Sequence, residues 1–138
     1  METLGNHILL DLWGIASERL DDDRALHESF VAAAERGGAH VVDARFCRFA
    51  PHGISGVVIL AESHLTVHTW PEHGYAAVDV FTCGAAEVGE RIVDEILTSL
   101  QPLRHELRRL RRGLPRGNSL AQPTEAATTA QGAAEATG

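Results

Sequence analysis

The 138-residue sequence contains no lysine; all twelve of its basic residues are arginine. A pyridoxal enzyme anchors its cofactor through a lysine Schiff base, so that route to amine chemistry is closed. Cysteine is scarce as well. Cys47 and Cys83 are too few for a disulfide scaffold, and they favour a reducing compartment with free thiols. Long apolar runs are missing: His7 to Trp13 is far too short to span a bilayer, and Asp11 interrupts it. No early stretch joins a basic start to an apolar run and a small-residue cleavage site. A soluble, cytoplasmic protein with no membrane partner is expected. Positive charge is not in excess either. The formal net charge of −7 argues against nucleic acid as a partner, because phosphate binding wants a basic surface.

What is present suggests one domain, large enough to bury roughly two thirds of its unfolded surface. His7 to Trp13 reads as a strand. Asp21, Asp22 and Asp23 offer N-caps for a helix whose stripe is Leu26, Phe30, Ala33 and Ala34, ending at Gly37-Gly38. His40 to Phe49 and Ile54 to Ala61 read as strands, followed by a hairpin turn at Glu62-Ser63. From Leu65 to Trp70 the residues alternate, with Thr66, His68 and Trp70 on one face and Leu65, Val67 and Thr69 on the other. Tyr75 to Thr82 is a further strand, and Val88 to Leu100 an amphipathic helix closed by Pro102. Leu103, Leu107, Leu110 and Leu114 fit a helix in a stretch with five arginines between Arg104 and Arg112. Residues 118–138, rich in Ala and Thr, have no core-forming pattern and are expected to be a disordered tail. The fold class is therefore α+β: a two-layer arrangement of an antiparallel sheet with helices on one face. The other face needs cover, which suggests a dimer.

Chemistry-bearing residues concentrate in Glu62-Ser63-His64-Leu65-Thr66-Val67-His68-Thr69-Trp70-Pro71-Glu72 and run on to Cys83. A metal site built on His64, His68 and His73 meets a geometric obstacle. On a strand His64 and His68 lie about 13 Å apart, whereas zinc ligands sit about 2 Å from one ion. No metal is expected. Ser63, His68 and Asp79 have the residue types of a hydrolase triad, but no G-x-S-x-G elbow is present. A third possibility is self-processing: a serine in a strained turn attacks its own preceding carbonyl, and elimination then leaves a pyruvoyl group. Ser63, His68 and Ser55 have suitable types. The residue types alone leave these chemistries open beside a fourth reading, ordinary strand and turn residues.

The run HGISGVVILAESHLTVHTWPEHGYAAVDVFTCG, from His52 to Gly84, resembles the small prokaryotic S-adenosylmethionine decarboxylases. The likeness extends more loosely to Leu4-Gly5-Asn6-His7 and Leu114-Pro115-Arg116-Gly117, so a domain of residues 1–117 is expected. The resemblance implies a proenzyme cleaved between Glu62 and Ser63, with Ser63 becoming a covalent pyruvoyl cofactor that captures substrate as a Schiff base. His68 would be the proton acceptor in processing, assisted by Ser55, and Cys83 the proton donor in turnover. Phe49 would stack on adenine, with His68 of a neighbouring subunit as its second face, and Glu72 would hold the ribose hydroxyls. The substrate implied is S-adenosylmethionine, decarboxylated to the aminopropyl donor for spermidine. The assembly implied is a homodimer of processed pairs with the two sheets packed together, αββα. The resemblance also makes the leucine- and arginine-rich stretch 103–114 a strand, against its helical spacing.

Three features depart from the family pattern. Asn6 stands where arginine is common and Cys47 where histidine is common, and Arg104–Arg112 is unusually basic. Some relatives with the same processing module act on ornithine or arginine, which keeps those substrates as an alternative. A non-catalytic partner subunit is the rival from another class; the complete set of Ser63, His68 and Cys83 speaks against it.

Overall fold

Alternation along the strands decides the layering. In β4 (Ser63–Trp70), Leu65, Val67 and Thr69 are buried while His68 and Trp70 are exposed. In β5 (Tyr75–Thr82), Ala76, Val78, Val80 and Thr82 are buried and the intervening residues half-buried. β1 (Gly5–Trp13) buries Ile8, Leu10 and Leu12 in the same rhythm. The computed structural model describes residues 4–114 and the backbone of residues 127–131. The remaining described elements are α1 (Ser17–Leu20), α2 (Asp23–Arg36), β2 (Val41–Arg48), β3 (Ile54–Leu60), a 3-10 turn (Pro71–His73), α3 (Ala86–Leu100), β6 (Arg104–Arg112) and β7 (Ala127–Gln131). Every pairing is antiparallel, in the order β2-β3-β4-β5-β1-β6-β7.

The buried face of the sheet packs on α2 and α3. Leu26, Phe30, Ala33 and Ala34 of α2 meet Ile92, Val93, Ile96 and Leu100 of α3 in one core with the strand residues. Burial of each large side chain stabilises by about 1.5–3 kcal/mol. Asp22 caps α2 by accepting from the Ala25 N–H at 3.0 Å, a bond worth about 1 kcal/mol. At the other end a Cβ on Gly37 would lie 2.5 Å from the Ile92 side chain, so glycine lets the two helices close. Arg109 ties β6 to α3 through two bonds to Glu90, at 2.8 and 2.9 Å. Among the described residues, no helix is long and apolar enough to cross a membrane.

The opposite face carries His7, Asp11, His64, Thr66, His68, Asp79 and Phe81, and no described element of the chain covers it. Ile59, Phe49 and Trp70 are large apolar residues left exposed.

The antiparallel sheet with helices on one side is the architecture expected. The stretch 103–114 is a strand: β6 pairs with β1 along its whole length, from Gly5↔Arg112 to Trp13↔Arg104. Sheet pairing overrides the leucine spacing, and of its leucines only Leu107 is fully buried against the core. The tail differs from expectation at one place. Residues 127–131, within the stretch expected to be disordered, form β7 on the outer edge of β6, with Arg104↔Gln131 through Arg108↔Ala127 as partners. An edge strand presents unpaired backbone groups that a passing segment can satisfy. The rest of 118–138 lies outside the described residues. The short helix α1 carries no periodic signal that the sequence could reveal.

Candidate active site

The β3–β4 hairpin turns at Ala61–Glu62 and delivers Ser63 to the head of β4. Ser63 has φ 141°, a conformation that residues with a side chain rarely adopt. Such a residue costs on the order of 1–3 kcal/mol and persists only where its surroundings hold it. The surroundings here are specific. The Glu62 carbonyl accepts from the Cys83 N–H at 2.8 Å, and the Ala61 N–H donates to the His40 carbonyl at 2.8 Å. The Glu62 carboxylate accepts from the His40 N–H at 3.0 Å and faces His40 Nδ1 at 2.7 Å. The His40 backbone N–H, with its ring second, holds the Glu62 carboxyl below the usual range. Ser63 Oγ lies 3.2 Å from His64 Nδ1. The His64 ring meets Phe81 edge-on, and Phe81 in turn touches His7 and lies under Arg112. The Cys83 thiol is free and exposed.

A second cluster lies at the far end of β4. Ser55 and His68 are cross-strand partners, with Ser55 Oγ 2.7 Å from His68 Nδ1. Phe49, His52, Ser55, His68, Trp70 and Glu72 line one cleft. Glu72 pairs with His52 at 3.0 Å. Its own backbone N–H, then His52, keeps its carboxyl below the usual range. Thr69 fixes the cleft floor from behind. Its buried hydroxyl accepts from the Ile54 N–H at 2.9 Å and donates to the Leu20 carbonyl at 2.7 Å, joining β3, β4 and α1. Asp21 accepts from the Gly53 N–H at 3.0 Å and from Arg48 at 2.8 Å. The Gly53 contact is the main reason its carboxyl titrates low.

The residues singled out from sequence thus fall into two groups. Glu62, Ser63 and Cys83 come together at the head of β4. Phe49, Ser55, His68 and Glu72 come together at its foot. Five residues of extended strand separate Ser63 from His68, about 16 Å, so one chain does not unite them. The triad types do not assemble either, because Asp79 is held by His7 at 3.0 Å and Thr66 at 3.0 Å. Sequence reasoning missed His40 altogether and weighed His64 only as a metal ligand. Adjacency to Ser63 was the available signal for His64. His40 is 22 residues from Glu62 and meets it only because β2 flanks the hairpin.

Comparison with known proteins places the chain in a family. The family model for S-adenosylmethionine decarboxylase matches residues 6–113. The chain is similar to the S-adenosylmethionine decarboxylase proenzyme of Methanococcus vannielii, 43% identical over 114 residues that span 83% of this chain and 93% of that protein. It is 52% identical to the proenzyme of Bacillus velezensis over 84 residues, 61% of this chain and 67% of that one. The crystal structure of the adenosylmethionine decarboxylase from Aquifex aeolicus superposes with a TM-score of 0.80 at 39% identity, covering 86% of this chain and 98% of that chain. The Trypanosoma brucei AdoMetDC monomer, at 13% identity and a TM-score of 0.58, shares the fold; it is covered over 45% of its length by 76% of this chain. With a family match from residue 6 to residue 113 and a near full-length relative at 43% identity, this chain belongs to the S-adenosylmethionine decarboxylase family.

Proposed function

We propose that this chain is a proenzyme that cuts itself between Glu62 and Ser63 and then decarboxylates S-adenosylmethionine, releasing CO2 and the aminopropyl donor for spermidine synthesis. The observation that carries the reading is Ser63 at φ 141° beside a carbonyl already held by the Cys83 N–H. Attack of Ser63 Oγ on the Glu62 carbonyl carbon forms a C–O bond, and the charge that develops on the carbonyl oxygen falls on that N–H. The Oγ proton passes to the departing Ser63 nitrogen, and the peptide becomes an ester. Removal of the Ser63 α-proton breaks the Ser63 Cβ–Oγ bond and releases Glu62 with a new C-terminal α-carboxylate. Water then hydrolyses the dehydroalanine, ammonia leaves, and residue 63 is a pyruvoyl group.

The chain fits that cofactor: the strained turn supplies its carbons, and a free thiol, Cys83, stands next to the carbonyl's anchor. The pyruvoyl group supplies a carbonyl next to an amide as the electron sink for loss of CO2. Cys83 is assigned the proton donor of turnover. His68, with Ser55 hydrogen-bonded to it, is assigned the proton acceptor of processing. Phe49 is assigned to the adenine ring and Glu72 to the ribose hydroxyls, both from the one cleft.

The separation of about 16 Å along β4 calls for a second copy. A homodimer with the open sheet faces packed together would cover that face. A two-fold axis lying in the interface across β4 exchanges the ends of the strand, and sets Ser63 of one chain against His68 of the partner subunit. Free thiols at Cys47 and Cys83 suit the cytoplasm.

The test uses the full chain. Denaturing electrophoresis and intact mass are expected to show fragments 1–62 and 63–138, the second starting with pyruvoyl. CO2 release is then followed from S-adenosylmethionine, ornithine and arginine in parallel. A chain that stays intact after prolonged incubation would falsify the proenzyme reading. Release from a basic amino acid and not from the nucleoside would move the substrate assignment.

A further inference from the structure

We infer that His40 is a positioning residue for the self-cleavage, acting through the side chain of Glu62; the inference rests on the self-cleavage reading above. Glu62 occupies the tip of a hairpin, where a backbone is ordinarily free to relax. A relaxed tip would return Ser63 from φ 141° to ordinary extended geometry. Three contacts from His40 oppose that relaxation. Its carbonyl takes the Ala61 N–H at 2.8 Å, its N–H reaches one Glu62 carboxylate oxygen at 3.0 Å, and its ring Nδ1 sits 2.7 Å from the other. The Cys83 N–H then holds the Glu62 carbonyl from the opposite side, at 2.8 Å. The residue before the scissile bond is thus gripped between the start of β2 and the end of β5.

His40 is itself anchored. Ala39 before it is buried, and its N–H bonds to the Ala34 carbonyl at the end of α2. The grip is therefore referred to the helix layer and not to a loose loop. Its two halves differ in exposure. The His40 side chain is 80% exposed and that of Glu62 only 22%. Water competes mainly for the ring contact, while the backbone contact is independent of the side chain at position 40. Removing the ring should therefore weaken the grip, and removing the Glu62 carboxylate, which takes away both of its contacts to His40, should weaken it further.

The experiment follows the cleavage time course of the full-length chain after synthesis in vitro. His40→Ala is expected to slow cleavage on the order of 10-fold, and Glu62→Ala more, toward the 100-fold that small misplacements can cost. His40→Asn, whose amide nitrogen can take the place of Nδ1, is expected to recover most of the rate, as is Glu62→Gln. The double variant H40A/E62A should be no slower than E62A alone. Folding is checked in a Ser63→Ala background, where His40→Ala should move the thermal midpoint by no more than about 4 °C, as for a largely exposed pair. Native-rate cleavage by His40→Ala overturns the inference and leaves the parent reading standing. So do additive effects in the double variant, or an Asn variant that regains the midpoint without regaining the rate. A native chain that never cleaves overturns both.

Discussion

The two ends of β4 are built to different specifications. At its head Ser63 is strained and its neighbours are locked: the carbonyl before it is held by Cys83, and the carboxylate before it by His40. At its foot His68 and Trp70 are exposed over a cleft, where Ser55 meets His68 at 2.7 Å and His52 meets Glu72 at 3.0 Å. The head is suited to making one bond rearrange in a fixed frame. The foot is suited to admitting a molecule from solution. On the proposed reading, one strand carries a bond-cutting end and a binding end, and a working site needs both. Neighbouring copies, more than motion within one chain, are the economical way to join them, since a paired central strand does not fold back on itself.

The sharpest test of that contrast is complementation. Chains bearing Ser63→Ala or His68→Ala are each expected to remain uncut alone, since loss of a general base costs about 10²–10⁴-fold. When the two are folded together, the His68→Ala chain should be cut, because the proposed dimer sets its serine against His68 of the partner subunit. Efficient cleavage of the His68→Ala chain by itself would collapse the distinction between the two ends. Next in size is Cys83→Ala. Cleavage should survive, since the Cys83 contact to Glu62 is a backbone N–H, while decarboxylation falls by about 10²–10⁴-fold. Normal turnover by that variant would remove the thiol from the chemistry. A smaller effect is expected at the foot. Thr69→Val strands the Ile54 N–H and the Leu20 carbonyl and should lower stability by about 1–3 kcal/mol in chemical denaturation, with a midpoint unchanged from native arguing against the bracing role.

The smallest effect concerns the open face beside the foot of β4, where Tyr75 is the cross-strand partner of Trp70. Tyr75 is the chain's single tyrosine, so its ultraviolet titration reports one site. Partial burial, then its hydrogen bond to Asp11, pushes the phenol up to about 12. A folded value above the unfolded one favours the protonated form in the folded state. The contribution to stability is therefore complete below about pH 10 and is lost as pH rises toward 12. Asp11→Asn should bring the midpoint down; an apparent midpoint near 10 in the native chain would contradict the buried contact.

Much of this was legible in the residues. The alternation in 65–70 named both faces of β4 correctly, and Asp22 proved to be the helix cap among three candidates. These are local signals, set by neighbours within a turn or a strand. What was hidden depends on register and distance along the chain. The leucines of β6 are spaced like a helix, and only pairing with β1 makes them a strand. His40 gains its meaning from a hairpin closed 22 residues later. The gap between Ser63 and His68 follows from strand rise alone, but it becomes informative only once β4 is seen to run straight between β3 and β5. The tail's β7 has no hydrophobic pattern; it is recruited by the free edge of β6.

The sheet order has a consequence for the cut molecule. Fragment 1–62 would own β1, β2 and β3 with α1 and α2, and fragment 63–138 the strands β4 to β7 with α3. Yet β1 lies between β5 and β6, so a strand of the first fragment is flanked on both sides by strands of the second. The two pieces are interlaced, and they cannot separate without dissolving the β1–β5, β1–β6 and β3–β4 ladders. Dissociation and unfolding become the same event. Once the turn is opened, reassembly from the denatured state would need the two fragments of one chain to meet, which adds a further concentration dependence to the one that pairing of copies already imposes.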